Sequence, residues 1–241
     1  MDIYGQLKKE LGQLADHYGL AGDAIEVKVK PLSPREAIGK PEEQDYPIIK
    51  GRERLMEAAF RGAAGQAFTD KFGNWQGTVR DLIHMDLSDN LRRAVFVASL
   101  NAILRGLGLA EGTVHCKDGD PRRCGQQCAQ KLQREHDSPT ITMIGYQPRI
   151  FASLRKQFMV HVVDMDPDNI GRVVGGTKIV GPRQTDKYLR KADLILATGS
   201  TLVNNTIGDI LRAGKPTIFY GVTIAGAARL LGLNRYCPLA M

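Results

Sequence analysis

The chain has 241 residues, 43% of them hydrophobic and 24% charged, with a formal charge of +7 at pH 7. That composition excludes general disorder and leaves room for one large domain or two small ones, each with its own core. No run approaches the ~20 consecutive apolar residues of a membrane helix, and the opening stretch MDIYGQLKKELGQL is polar and amphipathic, without a secretory apolar region.

The expected setting is therefore the cytoplasm, with no membrane partner. Positive charge is scattered over pairs such as Lys28/Lys30, Arg52/Arg54, Arg92/Arg93 and Arg122/Arg123. With no long basic run and no interleaved aromatics, nucleic acid is not an expected partner. Four cysteines fit no disulfide framework in a cytosolic chain of this size.

Ile3, Leu7, Leu11 and Leu14 recur at helical spacing, so residues 2–18 form an amphipathic helix ended near Gly19. Ile25, Val27 and Val29 alternate with polar neighbours, which predicts a strand from Ala24 to Lys30. Pro31 and Pro34 break it, and the polar stretch from Glu36 to Lys50 reads as loop. Gly62 and Gly65 divide residues 53–69 into two strands joined by a turn. From Ser88, taken as an N-cap, to Leu104 the chain is apolar nearly all round, which predicts a buried helix packed on a small antiparallel sheet. Gly106 and Gly108 close it. Asn101 interrupts that helix; a buried amide must be hydrogen-bonded, and bracing of the fold is its expected role. Lys50, Arg52, Glu53, Thr69 and Asp70 fall at polar strand or turn positions.

Beyond Thr113 the pattern changes. Asp120-Pro121 starts a helix that runs to about Glu135. Strands are then expected at Thr140–Ile144, Val160–Val163, Asp193–Ala197 and Pro216–Tyr220. Helices are expected at Pro148–Phe158, Thr185–Lys191, Leu202–Ala213 and Ile224–Leu231, with Gly214 and Gly232 at two of their ends. Short apolar strands alternating with helices mean a parallel sheet, so the fold class is α/β. The apolar stretch Ile224–Leu233 suits the core or a homo-oligomer contact.

In an open parallel sheet a ligand binds beyond the carboxyl ends of the strands. Four such ends carry candidate contacts: Gly145, Tyr146, Gln147 and Pro148; Asp164 and Asn169; Thr198, Gly199, Ser200, Thr201, Asn204 and Thr206; and Gly221 with Thr223. The first is no dinucleotide fingerprint, because Pro148 stands where a second glycine is needed. Asp164 suits a ribose diol or a turn cap. Ser200 and Thr201 open a helix whose free N–H groups favour an anion. Cys116, Cys124 and Cys128 do not make a zinc pattern; Cys124 and Cys128 share a helical face with Leu132, and core packing is the expected role.

Several runs resemble a known family: Tyr46-Pro-Ile-Ile-Lys-Gly51, Gly65-Gln-Ala-Phe-Thr-Asp70, Arg93-Ala-Val-Phe-Val-Ala-Ser-Leu-Asn-Ala102, Thr113-Val-His-Cys116, Asp164-Met-Asp-Pro-Asp-Asn-Ile-Gly171, Thr198-Gly-Ser-Thr-Leu-Val-Asn-Asn-Thr206 and Phe219-Tyr-Gly-Val-Thr-Ile-Ala-Gly-Ala-Ala228. They are similar to the putative heavy-metal chelation family, over nearly the whole chain from Ile25 to Pro238. The resemblance implies a small α+β enolase N-terminal-like domain over 1–112 and a Rossmann-like domain over 113–241. It implies a site at their junction and a role in handling flavin-, pterin- or siderophore-like chelators.

Three functions follow as expectations. An enzyme would hydrolyse or condense a small anionic heterocycle, with Asp164, Asp70 or His115 as acid/base groups. A binding protein would hold a transition metal or a metal–chelator complex through His115, Cys116 and Cys237. A methyltransferase-like enzyme would take S-adenosylmethionine, with Asp164 on ribose and Gly145 under the cofactor.

Overall fold

The computed structural model describes residues 2–20, 26–40, 48–50 and 53–241. Arg52 and parts of the runs around Ala24 and Tyr46 lie outside the described residues. In chain order the elements are α1 (Ile3–His17), β1 (Glu26–Pro31), α2 (Pro34–Ile38), β2 (Arg54–Phe60), β3 (Ala63–Thr69), β4 (Trp75–Thr78), α3 (Val79–His84) and α4 (Asn90–Gly106). There follow α5 (Asp120–Glu135), β5 (Ile141–Ile144), α6 (Pro148–Leu154), β6 (Val160–Val163), β7 (Val173–Val174), β8 (Thr177–Val180), α7 (Thr185–Lys191) and β9 (Leu194–Thr198). The last are α8 (Ser200–Val203), α9 (Ile207–Arg212), β10 (Thr217–Tyr220), α10 (Ala225–Leu231) and β11 (Arg235–Tyr236).

These elements form two compact units. Unit 1 comprises Met1–Asp118, Gly199–Gly208 and Gly221–Met241, and unit 2 comprises Gly119–Thr198 and Asp209–Tyr220. Among the described residues no helix is long and apolar enough to cross a membrane.

Unit 1 is built on an antiparallel sheet of order β3-β2-β1-β4. Arg61 and Gly62 join β2 to β3 with φ of 49° and 79°, two consecutive left-handed residues. That is the turn whose twist matches a two-residue hairpin. Helix α4 packs on β3, β2 and β1 and is buried from Arg93 to Leu104. The approach is close at Gly65, where a Cβ would lie 2.1 Å from Ala102 N and 2.5 Å from Ala98 O. Only glycine lets helix backbone and strand backbone meet at that point.

Asn101 is fully buried, and its side chain ties three elements together. Nδ2 donates to Gln66 O (2.9 Å), Val222 O (3.1 Å) and Thr223 O (3.2 Å), while Oδ1 accepts from Gly226 N at 2.7 Å. A Cβ on Gly226 would lie 2.8 Å from that oxygen, so glycine is needed there too. Bracing is thus the role of this amide.

Unit 2 contains five parallel strands and one antiparallel edge, in the order β10-β9-β5-β6-β8-β7. Counted along the chain, the parallel strands read 3-2-1-4-5 from β8 to β10, the order of a doubly wound sheet. The order reverses between β5 and β9. The chain is therefore mixed α/β with a large parallel-rich sheet.

Three expectations need correction. Residues read as loop form α2, because Ser33 and Glu36 make a reciprocal capping box and Pro34 pre-sets the first turn. The N-cap of α4 is Asp89, whose carboxylate accepts from Arg92 N, rather than Ser88. The helix expected over Leu202–Ala213 is two pieces, α8 and α9, parted at Asn205 with φ 57°; asparagine tolerates that left-handed conformation and so ends a helix.

Replacing Asn101 with leucine removes the partner of Gly226 N and of the Gln66 and Thr223 carbonyls in a dry core, while Val222 O keeps Ala225 N. The expected cost is about 2–4 kcal/mol, read as a lower denaturation midpoint of unit 1. An unchanged midpoint would show that the amide does not brace the fold.

Candidate functional site

The order reversal in unit 2 places the ends of β5 and β9 beside each other, and unit 2 fills that place with its own groups. Gly145 takes φ +85°, and a Cβ there would lie 2.5 Å from Thr198 Cγ2. Its N donates to Val163 O at 2.8 Å, and its carbonyl accepts from Tyr220 Oη at 2.7 Å. Asp164, buried at the end of β6, accepts from Tyr146 N (2.6 Å) on Oδ2 and from Asp166 N (2.7 Å) on Oδ1. Asn169, also buried, lies 3.5 Å from the same carboxylate and accepts from Arg172. Burial pushes the Asp164 carboxyl above the usual range, against the pull of those N–H donors.

Gln147 Oε1 caps α6 by accepting from Ile150 N at 2.6 Å, and Pro148 has no N–H to offer. The expected ligand contacts of this loop are thus engaged in shaping it.

The candidates after β9 belong to unit 1. Gly199 is needed because a Cβ would lie 2.7 Å from Ile224 N. Ser200 and Thr201 open α8, which is a single turn of four residues. It carries little of the macrodipole expected for an anion site. Thr206 closes the turn, its N donating to Thr201 O at 2.9 Å.

The carbonyls at the end of α8 are taken by two residues that the sequence did not single out. Tyr4 Oη donates to Leu202 O and Arg93 Nε donates to Val203 O, each at 2.7 Å. Arg93 also donates to Leu87 O and Asn90 Oδ1. A buried arginine opening an apolar helix was the available signal. Asn90 Nδ2 in turn donates to Asp70 at 2.6 Å and lies 3.5 Å from Asn204 Oδ1. Asp70 itself is exposed.

The remaining candidates gather at the edge of β3 in unit 1. Thr223 is buried, and its Oγ1 accepts from Phe68 N at 3.1 Å. Gln66, another residue not singled out, accepts from His115 N (2.7 Å) and donates to Glu57 (2.7 Å). Thr113 bonds β3 twice, accepting from Gln66 N and donating to Ala64 O.

His115 sits edge-on to the Phe68 ring at 5.3 Å between centroids. Its Nδ1 lies 2.5 Å from Cys116 O. A carbonyl only accepts, so Nδ1 carries the proton and Nε2 the lone pair. Burial lowers the imidazole pKa, which keeps the ring neutral.

Gly221 O accepts from Arg235 Nε at 3.0 Å, Ala240 N donates to Cys237 O at 3.4 Å, and the charge of Arg235 favours the Cys237 thiolate. Burial nonetheless raises the Cys237 thiol. Cys128 is core, pushed up to about 12 by burial, and all four cysteines are free thiols. Among the described residues no three His, Cys, Asp or Glu side chains stand together so as to hold a metal ion. His115, Cys116 and Cys237 are not such a group.

A histidine buried neutral has a folded pKa below its unfolded value. Its contribution to stability is complete above about pH 6.5 and is lost as pH falls through the folded pKa. His161, also lowered by burial and by Lys191, adds the same sign. In His115→Phe the fall in melting temperature between about pH 7 and pH 5 is expected to be shallower than in the parent chain. Parallel curves would mean that His115 is not buried neutral.

Residues 129–231 match the DUF364 family model, described as putative heavy-metal chelation. A DUF364 protein of unknown function from Pyrococcus horikoshii shares the fold with a TM-score of 0.57 at 17% identity, over 92% of this chain and 79% of that one. A second DUF364 protein of unknown function, from Desulfitobacterium hafniense DCB-2, gives 0.52 at 11% identity, over 74% and 72%. No curated protein matches the chain. The matched residues include three of the sequence runs that carry the resemblance, Asp164–Gly171, Thr198–Thr206 and Phe219–Ala228.

Proposed function

We propose that this protein binds a transition metal already held by a small organic chelator, with His115 supplying a protein ligand. The observation that supports this reading is the orientation of the imidazole. Donation of Nδ1–H to Cys116 O fixes the ring and its tautomer and leaves Nε2 as a donor atom. Metal-ligating histidines use their second nitrogen in that way. A single neutral nitrogen suits a metal whose other positions a flavin-, pterin- or siderophore-like molecule fills. The donor chemistry fits a borderline transition metal. The four free thiols fit a cytoplasmic setting.

A second reading keeps the protein an enzyme, and it rests on Asp164. A buried carboxyl with a raised pKa at the end of a strand in a Rossmann-like sheet is suited to general acid/base work on a heterocycle. Its two oxygens are engaged by backbone N–H groups, which favours the first reading.

Native mass spectrometry with elemental analysis of freshly purified protein separates them. The expected result is an organic ligand together with a transition metal, both lost in His115→Phe and retained in Asp164→Asn. A metal-free ligand that depends on Asp164 and not on His115 would overturn the chelate reading. Saturable binding of S-adenosylmethionine would replace both by the methyltransferase-like one.

A further inference from the structure

The charge that the sequence spreads along the chain is divided unequally between the two units. Unit 2 holds 15 Lys and Arg against 9 Asp and Glu, whereas unit 1 holds 18 against 17. Nearly the whole surplus therefore lies on the smaller unit.

Within unit 2 one helix face concentrates it. Lys187, Arg190 and Lys191 on α7 follow the spacing i, i+3, i+4, and Arg183 lies in the 3-10 turn that leads into the helix, making four cations in all. Residues at that spacing share one side of a helix, and all four are exposed. Leu189, between them, is buried. Helix α7 packs on β5 and β6, and Thr142 Oγ1 donates to Tyr188 O at 2.9 Å.

The sheet carries the same character outward from that contact. Strand register puts Thr142 of β5 beside His161 of β6, and Val162 beside Ile179 of β8, so His161 and Lys178 share a face. Going outward along this row, Thr142 is buried, His161 half-buried and Lys178 exposed. The His161 ring lies 4.8 Å from that of Tyr188, and the Lys187 ammonium sits 5.7 Å from the Tyr188 ring centroid. The acidic residues nearest these cations in sequence are Asp186 and Asp193, and Asp193 already accepts from Thr140 N at 2.9 Å.

Against the expectation from the sequence, where these cations form no continuous run, we infer that this basic face of unit 2, from Arg183 along α7 to Lys178, binds nucleic acid as a single strand through its phosphates, without regard to sequence. Charge complementarity carries the assignment. Three cations on one helix face and a fourth in the turn before it offer phosphate contacts, the type that supplies sequence-independent affinity. Neither His115 nor Asp164 is among these residues, and the inference does not rest on the chelate reading.

The test is fluorescence anisotropy of a labelled 20-nucleotide homopolymer with the full chain, as a function of salt. Four neutralised phosphates predict a slope of about −3 in log K against log salt, or roughly 50-fold weaker binding for a fourfold rise in salt. The triple variant Lys187→Glu, Arg190→Glu, Lys191→Glu is expected to lose at least tenfold in affinity and most of that slope. A control that reverses three exposed cations of unit 1, Lys9→Glu, Lys71→Glu and Lys117→Glu, is expected to keep both. Thermal melting confirms that the variants fold, since every substituted side chain is exposed. No binding by the parent chain at low salt, or equal losses in the two triple variants, overturns the inference. Binding to anionic lipid vesicles that excess oligonucleotide does not displace overturns it as well.

Discussion

Unit 1 depends on one side chain in its interior, the amide of Asn101. It reaches the strand at Gln66, the turn at Val222 and Thr223, and the start of α10 at Gly226. The chain from Gly221 onward follows the last strand of unit 2 in sequence, yet its polar backbone is satisfied in unit 1. Glycine at 65 and 226 permits this, because a methyl group at either position would meet backbone or the amide oxygen itself. An apolar residue at 101 could fill the volume, but it could not satisfy one donor and three acceptors inside a dry core.

The same economy of hydrogen bonds governs the strand ends. A polar residue there can serve a ligand or the backbone, and the sequence alone does not distinguish the two. Asp164 holds the loops after β5 and β6 together through Tyr146 N and Asp166 N. Gln147 caps a helix, and Thr223 covers an N–H of the edge strand β3. An edge strand exposes a row of unpaired groups, and in β3 Thr113 and Thr223 satisfy part of that row. These residues shape the ground on which a ligand would sit.

Much of the fold was legible because its signals are local. The alternation of strands and helices beyond Thr113 gave the parallel sheet, and α5, β6 and α7 lie where periodicity and Asp120-Pro121 put them. The β2–β3 hairpin followed from Gly62. What escaped was set by partners distant in sequence or by single residues. The short β7–β8 hairpin has only two residues in its first strand, too few for a period to show. The break at Asn205 depends on one left-handed residue. Arg93, Tyr4 and Gln66 matter through bonds spanning 49 to 198 positions, which no pattern within a window can reveal.

Burial also sets the protonation of two groups in unit 1, His115 and Cys237. It acts in opposite directions on the two kinds of group, because it penalises whichever form is charged. For the imidazole of His115 the charged form is the protonated one, so burial favours the neutral ring that can ligate. For a thiol the charged form is the thiolate, so burial opposes ligation. Cys237 tests the balance most sharply, since the Arg235 guanidinium favours its thiolate. Desolvation still outweighs it, and the thiol stays raised. Burial thus leaves the imidazole neutral and the thiol protonated, by one and the same penalty on charge.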